Sequence, residues 1–365
     1  MLSAAQLLET LMLMLHTVGW RHRATLAKMV ASIWLTGTLS VASMARGAAI
    51  RFEERPRMLH KAFDRLLGST SVDSMTLYKA QVLSLIAPGS RVHIAVDWFS
   101  LRKDSVRVLL ASLCNEDGRA WPLAALTIAT SDRKALQCVT ESRMIAWLRD
   151  TIPDEVTVII LADRGFDGAK FRVALRAAKF HYILRVRGNL LAFTKNKKRK
   201  VRELAGTRRQ TARRHEAVLL TAQKDAVGAI VTCWDKKSKG PWLLMTNLAE
   251  PAEAIVDGYA LRFRIEEAIR DLKNIRLGLG LEEVRTHSLK RWSMLLAIAI
   301  VGYTIVRRCG VIARQQGLAK DFSTSGRRPH SHSTFSLGKF HANASPDILR
   351  LALALTPSEQ FMRAA

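Results

Sequence analysis

Apolar residues recur at three- and four-residue intervals through the first 88 positions, a spacing that predicts helices over 4–16, 25–34, 41–50 and 58–67. Short helices punctuated by Thr-Gly-Thr and Ala-Arg-Gly suit a helix-turn-helix-like module and equally a basic bundle that only packs. The turn Ala87-Pro88-Gly89-Ser90 marks a boundary, and the rhythm changes after it. Runs rich in Val, Ile and Leu predict strands over 92–98, 106–113 and 122–129. A helix over 135–148, a strand over 156–162, a helix over 169–179 and a strand over 182–186 follow. Three strands and then alternating helix and strand predict an α/β fold, a mixed sheet with an antiparallel edge. Strand-like runs at 217–221 and 227–233 belong to a small β-rich insertion, and the α/β pattern resumes at 242–246. A long helix over about 251–275, a mobile loop over 323–336 and a short helix over 346–355 complete the reading, with no internal repeat. The chain thus divides into a helical domain (1–88), an α/β core (89–187 and 242–310), the insertion (188–241) and a C-terminal helical and loop region (311–365).

Charge narrows the partners. Over 365 residues, 57 Lys+Arg against 31 Asp+Glu leave a net +26, which calls for a polyanion: nucleic acid or an anionic membrane surface. The longest apolar run, 294–306, has 13 residues and lies between Arg291 and Arg307, too short for a bilayer and suited to a buried helix. The apolar first 18 residues are broken by Glu9 and His16 and lack a basic start or a cleavage site, so no signal peptide is expected. Nucleic acid is the better partner, with no membrane. Residues 185–241 alone carry 16 Lys+Arg and 4 acids, and residues 1–90 oppose ten basic residues to five acids. The four cysteines form no CxxC pair, which points away from a zinc site or a disulfide framework.

Two aspartates stand out by position. Asp97 ends the strand His-Ile-Ala-Val-Asp, and Asp163 ends Val-Ile-Ile-Leu-Ala-Asp; ligand sites of open α/β sheets gather at such carboxyl ends. Either residue alone is equally a turn residue or a helix cap, whereas two placed alike repel unless a cation binds them. The long helix supplies a third element. Tyr259, Arg262, Glu266 and Lys273 are spaced 3, 4 and 7 apart and share a helix face beside the apolar stripe Leu261, Ile265, Ala268, Ile269 and Leu272. A solvated face laced with ion pairs would look the same. Three carboxylates without a Cys or His cluster make a hard oxygen site, which favours Mg²⁺ or Mn²⁺ over zinc. Two such ions suit phosphodiester chemistry, with Arg262 and Lys273 on phosphates. Trp98 reads as a core residue by strand alternation, and His93 and Trp234 as packing residues.

Tyr259-x2-Arg262-x3-Glu266-x6-Lys273 resembles the Y-R-E-K signature of a branch of bacterial insertion-sequence DDE transposases. The resemblance extends to Val-Asp-Trp at Asp97, Ala-Asp-Arg-Gly-Phe at Asp163, Leu-Arg-Val-Arg-Gly at Arg185 and Pro-Trp-Leu-Leu-Met-Thr-Asn-Leu at Trp242. It implies a ribonuclease-H-like catalytic core behind an all-helical DNA-binding domain, with Asp97, Asp163 and Glu266 as the metal-binding catalytic triad. It further implies that Tyr259, Arg262 and Lys273 grip DNA phosphates, and that an extruded base stacks on Trp242 beside Arg185. Two Mg²⁺ ions, replaceable by Mn²⁺, are the implied cofactors. The implied partners are the element's inverted repeats, target DNA and a second copy of the chain in a synaptic dimer, in the bacterial cytoplasm at the nucleoid. The implied reaction is cut-and-paste transposition through a DNA hairpin. A decayed copy that only binds its ends, and a nuclease of the same fold without strand transfer, are the competing readings.

Overall fold

The computed structural model describes residues 3–16, 18–102, 104–115, 118–194, 197–206, 211–216, 218–221, 225–234, 240–320 and 332–354. Five helices open the chain: α1 (Ala4–Met14), α2 (Trp20–Thr36), α3 (Val41–Phe52), α4 (Pro56–Gly68) and α5 (Ser74–Leu83). Each start has a local cause. Ser3 and Gln6 form a capping box on α1, Pro56 occupies the first turn of α4, and Asp73 accepts from Met75 N at 3.1 Å to cap α5. Gly37, in the left-handed region, ends α2, and α3 leaves at 97° to it. The Ala-Arg-Gly expected to separate helices instead lies inside α3.

The central sheet has eight strands. In chain order they are β1 (Arg91–Leu101), β2 (Val106–Cys114), β3 (Trp121–Ala129), β4 (Thr157–Ala162), β5 (His181–Arg185), β8 (Arg213–His215), β11 (Ala229–Cys233) and β12 (Trp242–Thr246). Their spatial order is β3-β2-β1-β4-β5-β12-β11-β8. β1, β4 and β5 run parallel, and the flanking pairs are antiparallel. The fold is therefore mixed α/β behind N-terminal helices, as the pattern predicted. The basic segment divides in two: β8 and β11 extend the central sheet, while β6 (Leu191–Thr194), β7 (Lys197–Lys200), β9 (Leu219–Leu220) and β10 (Asp225–Ala226) form a separate small sheet.

α6 (Arg133–Thr151) and α7 (Ala169–Ala177) pack together on one face of the central sheet. The expected helix over 251–275 is two helices, α8 (Ala252–Ala260) and α9 (Arg264–Lys273), joined by a 3₁₀ turn over Leu261–Phe263. The core helix α10 (Leu289–Gln315) is twice the length of the 13-residue run expected there, and by length and composition it is long enough to cross a membrane. Yet 89% of its apolar window is buried against β3 and the helices α2, α4 and α5, together with α11 (Thr334–Ala344) and α12 (Pro346–Ala354). Burial on all sides inside the protein marks a core helix. Its crossing with α11 is made by two glycines: a Cβ on Gly310 would lie 1.6 Å from Thr334 O, and one on Gly338 1.8 Å from Val306 O. Of the loop expected over 323–336, positions 323–331 lie outside the described residues, and the remainder leads into α11.

Candidate active site

The parallel register between β1 and β4 ends with Val96 opposite Ala162. Asp97 and Asp163 are the next residue on each strand, so the two carboxylates leave neighbouring strands at the same level, where parallel strands lie about 4.8 Å apart. Val, Ile and Ala fill both strands up to that point because both faces are covered. Asp163 then caps the 3₁₀ turn Arg164–Phe166, accepting from Gly165 N at 2.8 Å. A side chain at Gly165 would put its Cβ 2.9 Å from Asp163 Oδ1, so the carboxylate would have to turn to make room.

Asp97 is held from two sides. Its Oδ1 accepts from Trp98 N at 2.8 Å and its Oδ2 from Arg262 at 3.2 Å. The other Arg262 nitrogen donates to Glu266 Oε1 at 2.6 Å, one helical turn away. One buried guanidinium thus bridges a strand acid and a helix acid. Burial pushes the Asp97 carboxyl up to about 6; Arg262 opposes this, and Asp163 and Glu266 add to it. Asp97 is therefore close enough to feel both of the other carboxylates. Among the described residues, no three acids, histidines or cysteines stand close enough to form a ready-made metal cluster, and Arg262 is the cation between two of them.

The four residues of the helical signature have different surroundings. Tyr259 is fully buried, not on an open face; its ring meets Trp242 edge-on at 5.2 Å. Burial raises its hydroxyl pKa, while Arg262 and Arg185 pull the other way. That hydroxyl and Nε of Arg262 are buried without a well-aligned hydrogen bond. Arg262 lies over the Phe263 ring at 4.8 Å. Glu266 is half-exposed. Lys273 sits apart from the acid cluster: Nζ donates to Ser100 O at 2.9 Å and pairs with Glu282 at 2.7 Å. The 3₁₀ turn separates Tyr259 from the other three residues, whereas Lys273 stands apart because it lies seven residues, about 10 Å, further along α9 than Glu266.

Arg185 ends β5 opposite Leu244, and Trp242 opens β12 opposite Cys233. The indole is only 8% exposed, covered by Tyr259 and by Phe263 at 5.8 Å, so its face is not an open platform. Sequence reasoning missed Asp167, whose nearly fully buried carboxylate takes a two-pronged contact from Arg187 at 2.8 Å and 2.8 Å and ties the Asp163 loop to the strand end after Arg185. It also missed Asp271, which joins α9 to Arg119 at 2.6 Å and to Tyr303 of α10 at 3.3 Å. Their partners lie 20, 152 and 32 residues away, and no local pattern records such pairings. His93 is half-buried beside Gly258, and burial lowers its pKa.

A mixed sheet with acids placed alike at the ends of two parallel strands, and a third acid on a helix that follows the last strand, defines an α/β protein with its acids grouped at one end of the sheet. The family model of the transposase DDE domain matches residues 89–301, more than half of the chain, and all three acids fall within it. The protein belongs to this family and is a DDE transposase, an enzyme that cleaves and joins DNA phosphodiester bonds. No curated protein matches the chain. Membership brings DNA as the substrate and divalent metal, generally Mg²⁺, as the family's cofactor.

Proposed function

We propose that Asp97, Asp163 and Glu266 are the acids that hold the metal in a ribonuclease-H-like core, and that the enzyme cuts and pastes its insertion sequence. The observation that carries this reading is the matched placement of Asp97 and Asp163 one step beyond the last β1–β4 pair, with Glu266 tied to Asp97 through Arg262. The donor set fits a hard cation: it offers oxygens alone, and Asp97 is held well above the ordinary carboxylate range by burial and by its acidic neighbours. Bound divalent ions supply activation of the attacking hydroxyl or water and stabilisation of the leaving oxygen.

The chain's own residues do the rest. Arg262 offers a planar fork that suits a phosphate as well as the carboxylates it now bridges, and its movement onto DNA would free Asp97 and Glu266. Arg185 is near enough to Tyr259 to lower its hydroxyl pKa, and the two are further candidate donors to phosphate. Lys273 contributes a point charge once Glu282 releases it. The substrates in this reading are the element's terminal inverted repeats, bound by the helical domain over 1–88, and then target DNA. A hairpin intermediate, a base stacked on Trp242 and a synaptic homodimer are parts of the same proposal. Stacking on Trp242 requires Phe263 to move aside.

The test is cleavage, with Mg²⁺, of a labelled duplex carrying the DNA end that flanks the coding sequence. Glu266→Gln is expected to bind this duplex within about twofold of wild type and to nick it at least a hundredfold more slowly. Nicking at the wild-type rate would remove Glu266 from the triad. A cut end released without a hairpin would keep the triad and overturn the hairpin route.

A further inference from the structure

β1 changes character at the candidate site. Up to Val96 it is held by β2 on one side and β4 on the other; from Asp97 to Leu101 only β2 remains. The five residues that begin with a candidate metal ligand thus lack a strand on the β4 side. Asp97 Oδ1 is moreover fixed by the N–H of the very next residue, so the carboxylate turns with the peptide plane between Asp97 and Trp98. Whatever fixes that plane aims the carboxylate.

Trp98 points to the opposite face of the sheet, toward α6. Its indole Nε1 donates to Glu141 Oε1 at 2.9 Å, and the Arg107 guanidinium lies over the ring at 5.2 Å. Glu141 is 4% exposed, a rare setting for a carboxylate in the middle of a helix. Gln137, one turn earlier, donates to the same oxygen at 3.0 Å, and Arg133 holds Gln137 at 3.1 Å. A chain of side chains thus runs along α6 to the back of the strand that carries Asp97. Burial raises the Glu141 pKa, and the hydrogen bonds from Trp98 and Gln137 oppose this. A residue needed only for packing at this position would be apolar.

We infer that Glu141 is a positioning residue for the cleavage reaction: through the Trp98 indole it locks the β1 backbone where the strand has lost its β4 neighbour, and so sets the direction of the Asp97 carboxylate. The buried acceptor on α6 replaces the missing strand. Asp97 can then answer to Arg262, metal and phosphate on the front face without the strand twisting beneath it. This inference rests on the reading of Asp97 as a metal ligand.

Five variants test it, each in full-length protein, with single-turnover nicking of the flanking-end duplex, duplex affinity, and the rise in melting temperature on adding Mg²⁺ without DNA. Glu141→Ala is expected to bind DNA as wild type does, to nick about ten- to a hundredfold more slowly, and to lose much of the Mg²⁺-induced rise. Trp98→Phe keeps the ring and deletes the donor, and should show the same losses. Combining the two should slow nicking no further than either alone, because both remove one contact. Glu141→Gln keeps an acceptor oxygen and should recover most of the rate. Wild-type nicking by Glu141→Ala, or losses that multiply in the double variant, would overturn the inference. If Glu141→Ala does not fold, Trp98→Phe decides alone, and a wild-type rate overturns it. Asp97→Asn separates the two levels: if it still nicks, the metal-ligand reading fails; if it is inactive while Trp98→Phe is unimpaired, only the positioning role fails.

Discussion

Asp97→Asn should make the metal-free protein more stable while removing the chemistry. The Asp97 carboxyl is displaced from 3.8 to about 6, chiefly by burial, which corresponds to about 3 kcal/mol of cost for carrying its charge in the fold. The side chain is 20% exposed; asparagine keeps one acceptor oxygen for Trp98 N, while its NH2 group then faces Arg262 donor to donor. The charge on buried Arg262 is then less well neutralised, which reduces the net gain to about 1–2 kcal/mol. The sign follows from proton binding. The folded carboxyl holds its proton more tightly than the unfolded one, so the cost is complete above about pH 6. It shrinks as pH falls through the window between about 6 and 3.8, and is absent below that window. Urea unfolding in a chelator should therefore show the variant more stable than wild type at pH 8, with the two curves converging toward pH 4. Added Mg²⁺ should stabilise wild type and leave the variant nearly unmoved. A variant no more stable than wild type at pH 8, or an advantage that does not shrink between pH 6 and 4, would refute the reasoning.

The remaining predictions concern the frame around the site. Gly310→Ala places a methyl group 1.6 Å from Thr334 O in the α10–α11 crossing; the helices must part, and thermal unfolding should report a loss of about 3 kcal/mol or more. A wild-type melting temperature would show that the crossing is looser than described. Arg187→Ala removes both guanidinium hydrogen bonds to the buried Asp167 carboxylate, while the backbone N–H of residue 187 still donates to it; because the arginine is more than half exposed, a cost of about 1–2 kcal/mol is expected in urea unfolding at neutral pH. Asp167→Asn combined with Arg187→Ala should recover part of that loss, and an equal or greater deficit in the double variant would contradict it.

Much of the site could be read from the sequence because its parts are local. Asp97 and Asp163 follow apolar runs that read as covered strands, and it is their like placement at two such strand ends, not either acid alone, that singles them out. The spacing of Arg262 and Glu266 gave their contact directly, because residues four apart on a helix are neighbours. What escaped depended on partners distant in the chain. The apolar run over 294–306 is shorter than α10 because Arg291 bounds it on one side and Arg307, followed by Arg308, on the other. In the fold these cations have acceptors or rings inside: Asp64 for Arg291, the Trp121 ring at 3.8 Å for Arg307, and Ser84 O at 2.8 Å for Arg308. The 3₁₀ turn over Leu261–Phe263 carries no glycine or proline to announce it. β8 and β11 gave no sign in their composition that they would join the central sheet and leave the small sheet to β6, β7, β9 and β10.

The geometry also changes the meaning of the +26 charge. Several cations of the core are already engaged by protein carboxylates: Arg262 by Asp97 and Glu266, Lys273 by Glu282, Arg187 by Asp167, and Arg119 by Asp271. They add little to the long-range pull on DNA, because each is compensated within a few ångströms. That pull comes from exposed cations elsewhere, such as Lys197, Lys198 and Lys200 on the edge strand β7 and Arg57, Lys61 and Arg65 on α4. Attraction and grip are therefore separate properties of this chain. Exposed charge brings the polyanion in, and its strength falls with salt. In the reading proposed above, the grip begins only when phosphate oxygens replace carboxylate oxygens on Arg262 and Lys273. The acids are then left with a net negative charge, which favours a divalent cation over the arginine that had stood among them.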